Sequence, residues 1–367
     1  MENSIDLSHP SSATAAAPYT LLLSEDTRQR LLAYVQALQA DQKPGARLAK
    51  VLREHGKPHD LVSMLERLFQ TKEPQIFAES AVYGDGTDWT QHELGLLGDI
   101  SVAVPVRVHD DGTHHAPRVH PVPIDATMLF TPGALLANGK GYPAADSGEV
   151  VRERTLHLPG FLALYERRLL PVLLHANETA ARKGRRAVVT VPGLGCGQFA
   201  GVFRGELEQP LALALQTLLE RHADRLQHVA LVRFDPYRSG TDQQVVCGQT
   251  LLRVRPLLLH LDTPQLCPPT AYEEAGDDFS DCDLFSVVAW DHVSWPGNDY
   301  YIGCRETDDG VKAAATSTMH AMTGIEGRYD PKQYKYLPPS GYRLWEQVIK
   351  SKRLRLGVTA DQVRVLS

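Results

Sequence analysis

From about residue 80 onward the chain alternates short apolar strands with amphipathic helices, and this alternation constrains the fold more than any other feature. Ser101 to Val108 reads as a strand, Asp111-Gly112 as a hairpin turn, and Ala116 to Phe130 as returning strand material interrupted by prolines. Phe161 to Ala181 has a helical apolar period, with Pro171 predicting a kink or two separate pieces. Arg186 to Val191, His228 to Phe234 and Leu284 to Ala289 are further strands, while Pro210 to Leu226 and Val311 to Met322 are helices, the latter ending at Gly324. Strands separated by helices predict an α/β sandwich with a largely parallel or mixed sheet. Ligands of such sheets gather at the carboxyl ends of the strands, where the two most unusual loops of this sequence fall.

The chain before residue 80 differs in texture. Residues 1–18, with Ser11-Ser12-Ala13-Thr14-Ala15-Ala16-Ala17-Pro18, read as a loose tail. Ser24 to about Gln70 is helical in period. Asp26 or Thr27 is placed to cap a first helix that Gly45 punctuates, and a second helix follows Asp60. The expected organisation is a tail over 1–18, a helical extension over 19–80 and the main unit over 81–367. With 43% hydrophobic and 22% charged residues there is material for a core, and the absence of an apolar run of about 18 residues argues against a membrane span. A net charge of −6 argues against a nucleic-acid partner. Five scattered cysteines without a C-x-x-C pair fit a reducing compartment and offer no zinc site, and no secretory signal is expected at the start, so a cytoplasmic location is expected.

The first loop follows the Arg186 strand and runs Pro192-Gly193-Leu194-Gly195-Cys196-Gly197-Gln198-Phe199-Ala200-Gly201. Alternate glycines let a backbone approach an anion closely and aim its N–H groups at it, which suits a phosphate or nucleotide cradle. Other readings stand beside that one. Gly195-x-Gly197-x-x-Ala200 fits a degenerate dinucleotide fingerprint, although no acidic residue ends a strand about 20 residues on. A Walker loop is excluded because no Gly-Lys-Ser/Thr follows. A Cys196 nucleophile elbow would need glycines where Leu194 and Gln198 stand. A plain tight turn is the remaining alternative.

The second loop leaves the Leu284 strand as Trp290-Asp291-His292-Val293-Ser294-Trp295-Pro296-Gly297-Asn298-Asp299-Tyr300-Tyr301 and continues through Arg305, Thr307, Asp308 and Asp309 into a helix. Four aspartates fall in the nineteen residues 291–309, mixed with aromatic residues and glycines, and loops of this length are often functional. Plainer roles exist for each residue. Thr307 or Asp308 suits a helix N-cap, Asp291 can bind turn amides, His292 can be structural, and Trp290 and Trp295 can be core. A Mg²⁺ or Ca²⁺ site is another reading, but the spacing does not match an EF-hand loop, and no metal is expected.

Val191 to Gly201 (VPGLGCGQFAG) and Trp290 to Thr316 (WDHVSWPGNDYYIGCRETDDGVKAAAT) together resemble the phosphate loop and signature of MavL-type ADP-ribosyl hydrolases. These are effector-like enzymes that remove ADP-ribose from arginine of ubiquitin. The resemblance implies a macrodomain-like three-layer α/β/α sandwich with a mixed sheet and an N-terminal helical extension. It also implies ADP-ribose as ligand, no cofactor, an ADP-ribosylated protein such as ubiquitin as partner, and, for an effector, secretion into a host cytosol. The family's acidic triad has spacings of eight and then ten residues, which Asp291, Asp299 and Asp309 reproduce. Asn138-Gly139-Lys140-Gly141 is the candidate for the family's other loop, and the triple glycine and paired glutamates of poly(ADP-ribose) glycohydrolases are missing.

The chemistry implied is hydrolysis at the anomeric carbon of the distal ribose, where carboxylates stabilise an oxocarbenium-like state and orient a water. Asp299 and Asp309 are expected to face that ribose, with Asp291 sharing the task or pairing with the arginine guanidinium. Backbone amides from Gly193 through Leu194, Gly195, Cys196, Gly197 and Gln198 are expected to hold the diphosphate, with Phe199 against a ribose or the adenine. Trp290, Trp295 or Tyr300 are expected to stack on adenine or line the leaving-group side, with Asn298, Thr307 and Asp308 nearby. The rivals are a macrodomain that binds without cleaving, a hydrolase of another ADP-ribose linkage, a metal-dependent hydrolase and a dehydrogenase.

Overall fold

The computed structural model describes residues 19–367 apart from 77–81, Lys140, Tyr142 and Ser239, so the tail expected over 1–18 lies outside the described residues. Thirteen strands are present among the described residues: β1 (Thr20–Leu23), β2 (Ser101–Asp110), β3 (Val119–Pro132), β4 (Val151–Arg152), β5 (Thr155–Leu156), β6 (Arg186–Pro192), β7 (Val229–Asp235), β8 (Gln243–Cys247), β9 (Thr250–Val254), β10 (Cys282–Trp290), β11 (Arg328–Asp330), β12 (Lys335–Leu337) and β13 (Val363–Val365). Nine of them form one sheet in the order β13-β1-β2-β3-β10-β6-β7-β9-β8. The run β3-β10-β6-β7-β9 is parallel, whereas β1-β2, β2-β3 and β8-β9 are antiparallel, so the sheet is mixed as expected.

The α-helices are α1 (Glu25–Gln39), α2 (Ala46–His55), α3 (Leu61–Phe69), α4 (Gln91–Gly98), α5 (Ser147–Val150), α6 (Leu158–Arg182), α7 (Glu208–Arg221), α8 (Asp308–Ala315), α9 (Thr318–Thr323) and α10 (Trp345–Lys352). Side chains of a strand alternate between the two faces of its sheet, and that period of two divides the interior into two cores. Val104, Phe130, Val188, Leu284 and Val288 meet Leu31, Leu65, Leu94, Ala314 and Val348 on one face. Ala103, Leu129, Val189, Phe285 and Val287 meet Leu169, Leu173, Leu215 and Leu218 of α6 and α7 on the other. Each such fully buried aliphatic or aromatic side chain contributes roughly 1.5–3 kcal/mol, which is why a chain patterned this way settles as an α/β/α sandwich. Among the described residues no helix is long and apolar enough to cross a membrane.

Several local expectations need correction. The stretch 19–80 is not helical throughout: Thr20–Leu23 is a strand of the main sheet, pairing with β2 and with β13 near the far end of the chain. Ser24, rather than Asp26 or Thr27, caps α1 by accepting from the Thr27 amide at 3.1 Å. A helix follows Asp60 as expected, and Asp60 caps it. The helix through Pro171 runs unbroken from Leu158 to Arg182. The helix expected over Val311 to Met322 is two helices. The chain becomes extended at Thr316, bridging to Val108 of β2, and the Ser317 amide donates to the Arg107 carbonyl at 2.9 Å.

Candidate functional site

Because β3, β10 and β6 are parallel neighbours, the segments that follow them emerge at one edge of the sheet. The glycine loop after β6 lies directly on the segment after β3. A Cβ on Gly133 would stand 2.1 Å from the Gly195 nitrogen, and one on Gly195 would stand 2.7 Å from the Ala134 nitrogen. Gly195 also has φ +71°, a left-handed conformation that side-chain-bearing residues resist. Tyr165 of α6 stitches the two segments together: its hydroxyl donates to the Leu194 carbonyl at 2.6 Å and accepts from the Ala134 amide at 3.1 Å. The Leu136 amide donates to the Phe199 carbonyl at 2.9 Å. Gly195→Val should therefore force the two loops apart, lowering stability by roughly 1–3 kcal/mol and weakening ADP-ribose binding. Denaturation and calorimetry on the same variant check both effects.

Within this loop Leu194 and Cys196 are buried, Gly193, Gly195 and Phe199 are half-buried, and Gly197 and Gln198 are exposed. Burial pushes the Cys196 thiol far above its ordinary range, which disfavours the thiolate that a nucleophile requires. The amides of Gly197 and Gln198 have no acceptor among the described residues. They open a short 3₁₀ turn at Gln198–Phe203, the geometry an anion uses. Asn138, in the segment after β3, is buried and its Nδ2 donates to the Tyr83 carbonyl at 3.4 Å; Lys140 of that motif lies outside the described residues.

Beneath the loops lies a buried charge network that the sequence reading missed. Arg168 projects from α6 and donates to Asp99 at 3.0 Å, to Asp146 at 2.8 and 2.9 Å, and to the Gly133 carbonyl at 2.8 Å. Asp146 in turn accepts from the Leu135 amide at 2.7 Å. Burial raises the Asp146 carboxyl, but Arg168, His292 and the Leu135 amide together outweigh it and hold it well below the usual range. Its one trace in the sequence is a charged residue at i+4 from Leu164 and one before Leu169, inside an apolar helical stripe.

The acid loop after β10 touches the glycine loop through Phe199, whose ring meets His292 edge-on with centroids 5.7 Å apart. His292 is fully buried, neither ring nitrogen has a hydrogen-bond partner, and Nε2 stands 3.8 Å from Asp146. Asp291 folds back on its own loop, accepting from the Val293 and Ser294 amides at 2.7 Å each and from the Ser294 hydroxyl. Asp309 accepts from the Gly297 amide at 2.7 Å and the Asn298 amide at 3.0 Å. Asp299 is half-buried and accepts from the Thr307 hydroxyl at 2.5 Å. Burial raises the carboxyl pKa of Asp299, with Asp291 and Glu306 acting in the same direction against the Thr307 hydrogen bond, and it raises that of Asp309, with Asp291 and Asp299 adding to it.

Thr307 is the N-cap of α8, its hydroxyl accepting from the Gly310 amide at 3.1 Å. Asp308 accepts from the Ala289 amide at 2.7 Å and from Lys312 at 3.1 Å, so it fastens the helix start to the end of β10. The aromatic residues expected to stack on adenine are core instead. Trp290 is 3% exposed, with the Lys72 ammonium 4.1 Å over its ring and Phe130 against its edge. Trp295 donates to the Lys72 carbonyl at 3.3 Å, and Tyr300 donates to the Tyr336 carbonyl at 2.8 Å. Asn298 clasps the backbone of Ile76 from both sides, at 2.8 and 2.9 Å. The polar atoms of Trp295, Asn298 and Tyr300 find protein partners that fix the loop's shape, and the three rings are buried, the Trp290 indole N–H without a partner among the described residues.

Residues 72–76 complete the enclosure. Glu73 bridges Ser294, with its amide donating to the Val293 carbonyl at 3.1 Å and its carbonyl accepting from the Trp295 amide at 2.8 Å. Lys72 is fully buried, and its ammonium donates to the His292 carbonyl at 2.6 Å. Burial pulls its pKa down to about 7, opposed by the nearby Asp291. Among the described residues no group of three His, Cys, Asp or Glu side chains is arranged to hold a metal ion.

A family model described as macrodomain effector MavL matches residues 19–342 of the chain. No curated protein matches it.

Proposed function

The chain belongs to the MavL macrodomain effector family, and from that premise we propose that it is an ADP-ribosyl hydrolase that cleaves the N-glycosidic bond between ADP-ribose and an arginine side chain of a protein, ubiquitin being the carrier the family suggests. The observation that carries this reading is the gathering of Asp291, Asp299 and Asp309 in a loop that abuts the glycine loop of the neighbouring strand. In this reading the amides of Gly197 and Gln198 hold the diphosphate and the acids flank the distal ribose.

The three acids divide the work unevenly. Asp291 and Asp309 spend their oxygens on loop amides, so their contribution is the shape of the loop. Asp299 is the half-buried one and holds a raised pKa, which suits a group that takes a proton from an attacking water near neutral pH. The C–N bond breaks with its electron pair going to the guanidine nitrogen, the water oxygen bonds to the anomeric carbon, and the proton the water gives to Asp299 is balanced by the one the departing guanidine takes up from solvent. The surrounding carboxylates lower the energy of the positive charge that develops on the sugar.

A macrodomain that binds ADP-ribose without cleaving it is the second reading, favoured by the structural hydrogen bonds of Asp291 and Asp309. Incubation with ubiquitin carrying ADP-ribose on arginine separates the two. Free ADP-ribose should accumulate with turnover; calorimetric binding of ADP-ribose without any release would leave only the binding reading.

A further inference from the structure

We infer that an exposed apolar platform built from Tyr237, Leu258, Leu259 and Leu261 docks the protein that carries the ADP-ribose, taking an aliphatic surface beside its modified arginine. The inference rests on the hydrolase reading and names the partner surface of that same site. The platform follows β7 and β9. Both run parallel to β6, so it leaves the sheet at the same edge as the glycine loop. Neighbouring strands lie about 4.8 Å apart, which puts the turn after β7 one strand beyond that loop and the turn after β9 two strands beyond it.

These side chains face solvent where burial is the rule for their type. Leu259 is 66% exposed, Leu261 65%, Tyr237 47% and Leu258 44%. A single apolar residue on a surface is ordinary, but four large ones on two adjoining turns make a patch of the kind that contacts other molecules. The Arg238 guanidinium stands 5.4 Å from the Tyr237 ring, and tyrosine and arginine are the residues enriched where interfaces bind most strongly.

The backbone beneath the patch is held in advance. Asp235, the last residue of β7, is buried and accepts from the Tyr237 amide at 2.7 Å, the Leu257 amide at 2.9 Å and the Gln265 side-chain amide at 3.1 Å. The Leu258 amide donates to the Tyr237 carbonyl at 3.2 Å, inside a 3₁₀ turn at Leu257–Leu259. Tyr237 sits at φ +61°, a left-handed backbone that a tyrosine keeps only where its surroundings impose it. One carboxylate thus binds the two turns into a single surface, and a surface already shaped loses little freedom on binding.

The same Gln265 leads on to the acid loop. Its Oε1 accepts from the Lys312 ammonium at 2.7 Å, and Lys312 donates to Asp308 at 3.1 Å. Gln265 and Lys312 therefore join the platform to the start of α8, one residue from Asp309. This continuity sets the occupant. An arginine whose ribose reaches the acid loop brings its own protein over this edge, and an aliphatic face there would cover the four exposed side chains.

The experiment compares two substrates that share one bond: ubiquitin carrying ADP-ribose on arginine, and ADP-ribosyl-arginine as the free amino acid. Leu259→Asp/Leu261→Asp should lower kcat/KM on the protein-linked substrate roughly tenfold or more and leave the amino-acid substrate within about twofold of the wild type. Val246→Asp is the control, since Val246 is 69% exposed but pairs with Leu251 at the other end of β9, and it should change neither. Equal losses on both substrates, or no loss on either, overturn the platform. Calorimetry supplies a reading that needs no turnover. The wild type should bind ADP-ribosylated ubiquitin more tightly than free ADP-ribose, and Leu259→Ser/Leu261→Ser should lose the excess. Equal wild-type affinities for the two ligands overturn the platform even where a variant does not fold. If neither substrate is cleaved, the hydrolase reading falls and the calorimetric comparison still judges the platform.

Discussion

Asp299→Asn should abolish ADP-ribose release from an arginine-linked substrate while leaving ADP-ribose binding close to that of the wild type. The amide keeps the volume of the carboxylate and can still accept from the Thr307 hydroxyl, so the helix start is undisturbed. What it loses is the ability to take a proton and the charge that faces the developing oxocarbenium ion. General-base assistance alone is worth roughly 10²- to 10⁴-fold, and the lost electrostatic stabilisation adds to it. The same substitution should raise stability at neutral and alkaline pH. Burial lifts the folded pKa of Asp299 above its unfolded value, so the folded state binds more protons than the unfolded one. Stability then falls as pH rises through that window, and an uncharged amide escapes the penalty. A variant that is inactive, still binds ligand and melts higher at pH 8 than at its own wild-type reference is the signature of a residue kept for chemistry at a cost in stability. Full activity in Asp299→Asn would remove Asp299 from the reaction. Loss of ligand binding in step with activity would make it a residue of the pocket wall.

The parts of the molecule legible in the sequence are those whose cause is local or periodic. Val188, Val189, Leu284 and Phe285 alternate because each strand feeds two cores, and the Thr307 cap and the Gly324 helix stop are short-range signals that the structure bears out. What escaped detection depends on contacts far apart in the chain. Thr20–Leu23 is only four residues long and gains its place by pairing with Val363–Val365. The break at Thr316 exists because Val108 and Arg107 of a strand two hundred residues earlier dock there. An aromatic-rich acidic loop looks the same in sequence whether its rings face a ligand or the interior. The indoles of Trp290 and Trp295 face inward because Lys72, whose position could not be foreseen, lies against one and accepts from the other. The three acids were expected from the resemblance to a family whose triad spacing they reproduce; the bonds that occupy Asp291 and Asp309 are a property of the folded loop.

Arg168→Met should destabilise the protein by roughly 3–5 kcal/mol, a large share of the roughly 5–15 kcal/mol that holds an ordinary domain together. The magnitude follows from what the substitution leaves behind. Arg168 is 1% exposed and answers Asp99, Asp146 and the Gly133 carbonyl at once, so its loss strands charge and acceptors that water cannot reach. Asp99 retains Arg30 and Arg167, but Asp146 retains only the Leu135 amide and a distant His292. A solvent-screened pair such as Arg28 with Glu25 is the proper control, and Arg28→Met should barely shift the unfolding midpoint. In the wild type the contribution of Asp146 should be nearly constant between pH 5 and pH 9. Asp146 has a folded pKa held below its unfolded value, so its contribution is present above the ordinary carboxylate range and is lost only in strong acid. Gly133 and Leu135 are the backbone points that Arg168 and Asp146 hold, and Gly195 packs directly on Gly133. Calorimetry at a temperature where Arg168→Met is still folded should therefore find ADP-ribose binding weakened before the protein melts. A variant within about 1 kcal/mol of the wild type would mean that the network is no stronger than a surface ion pair.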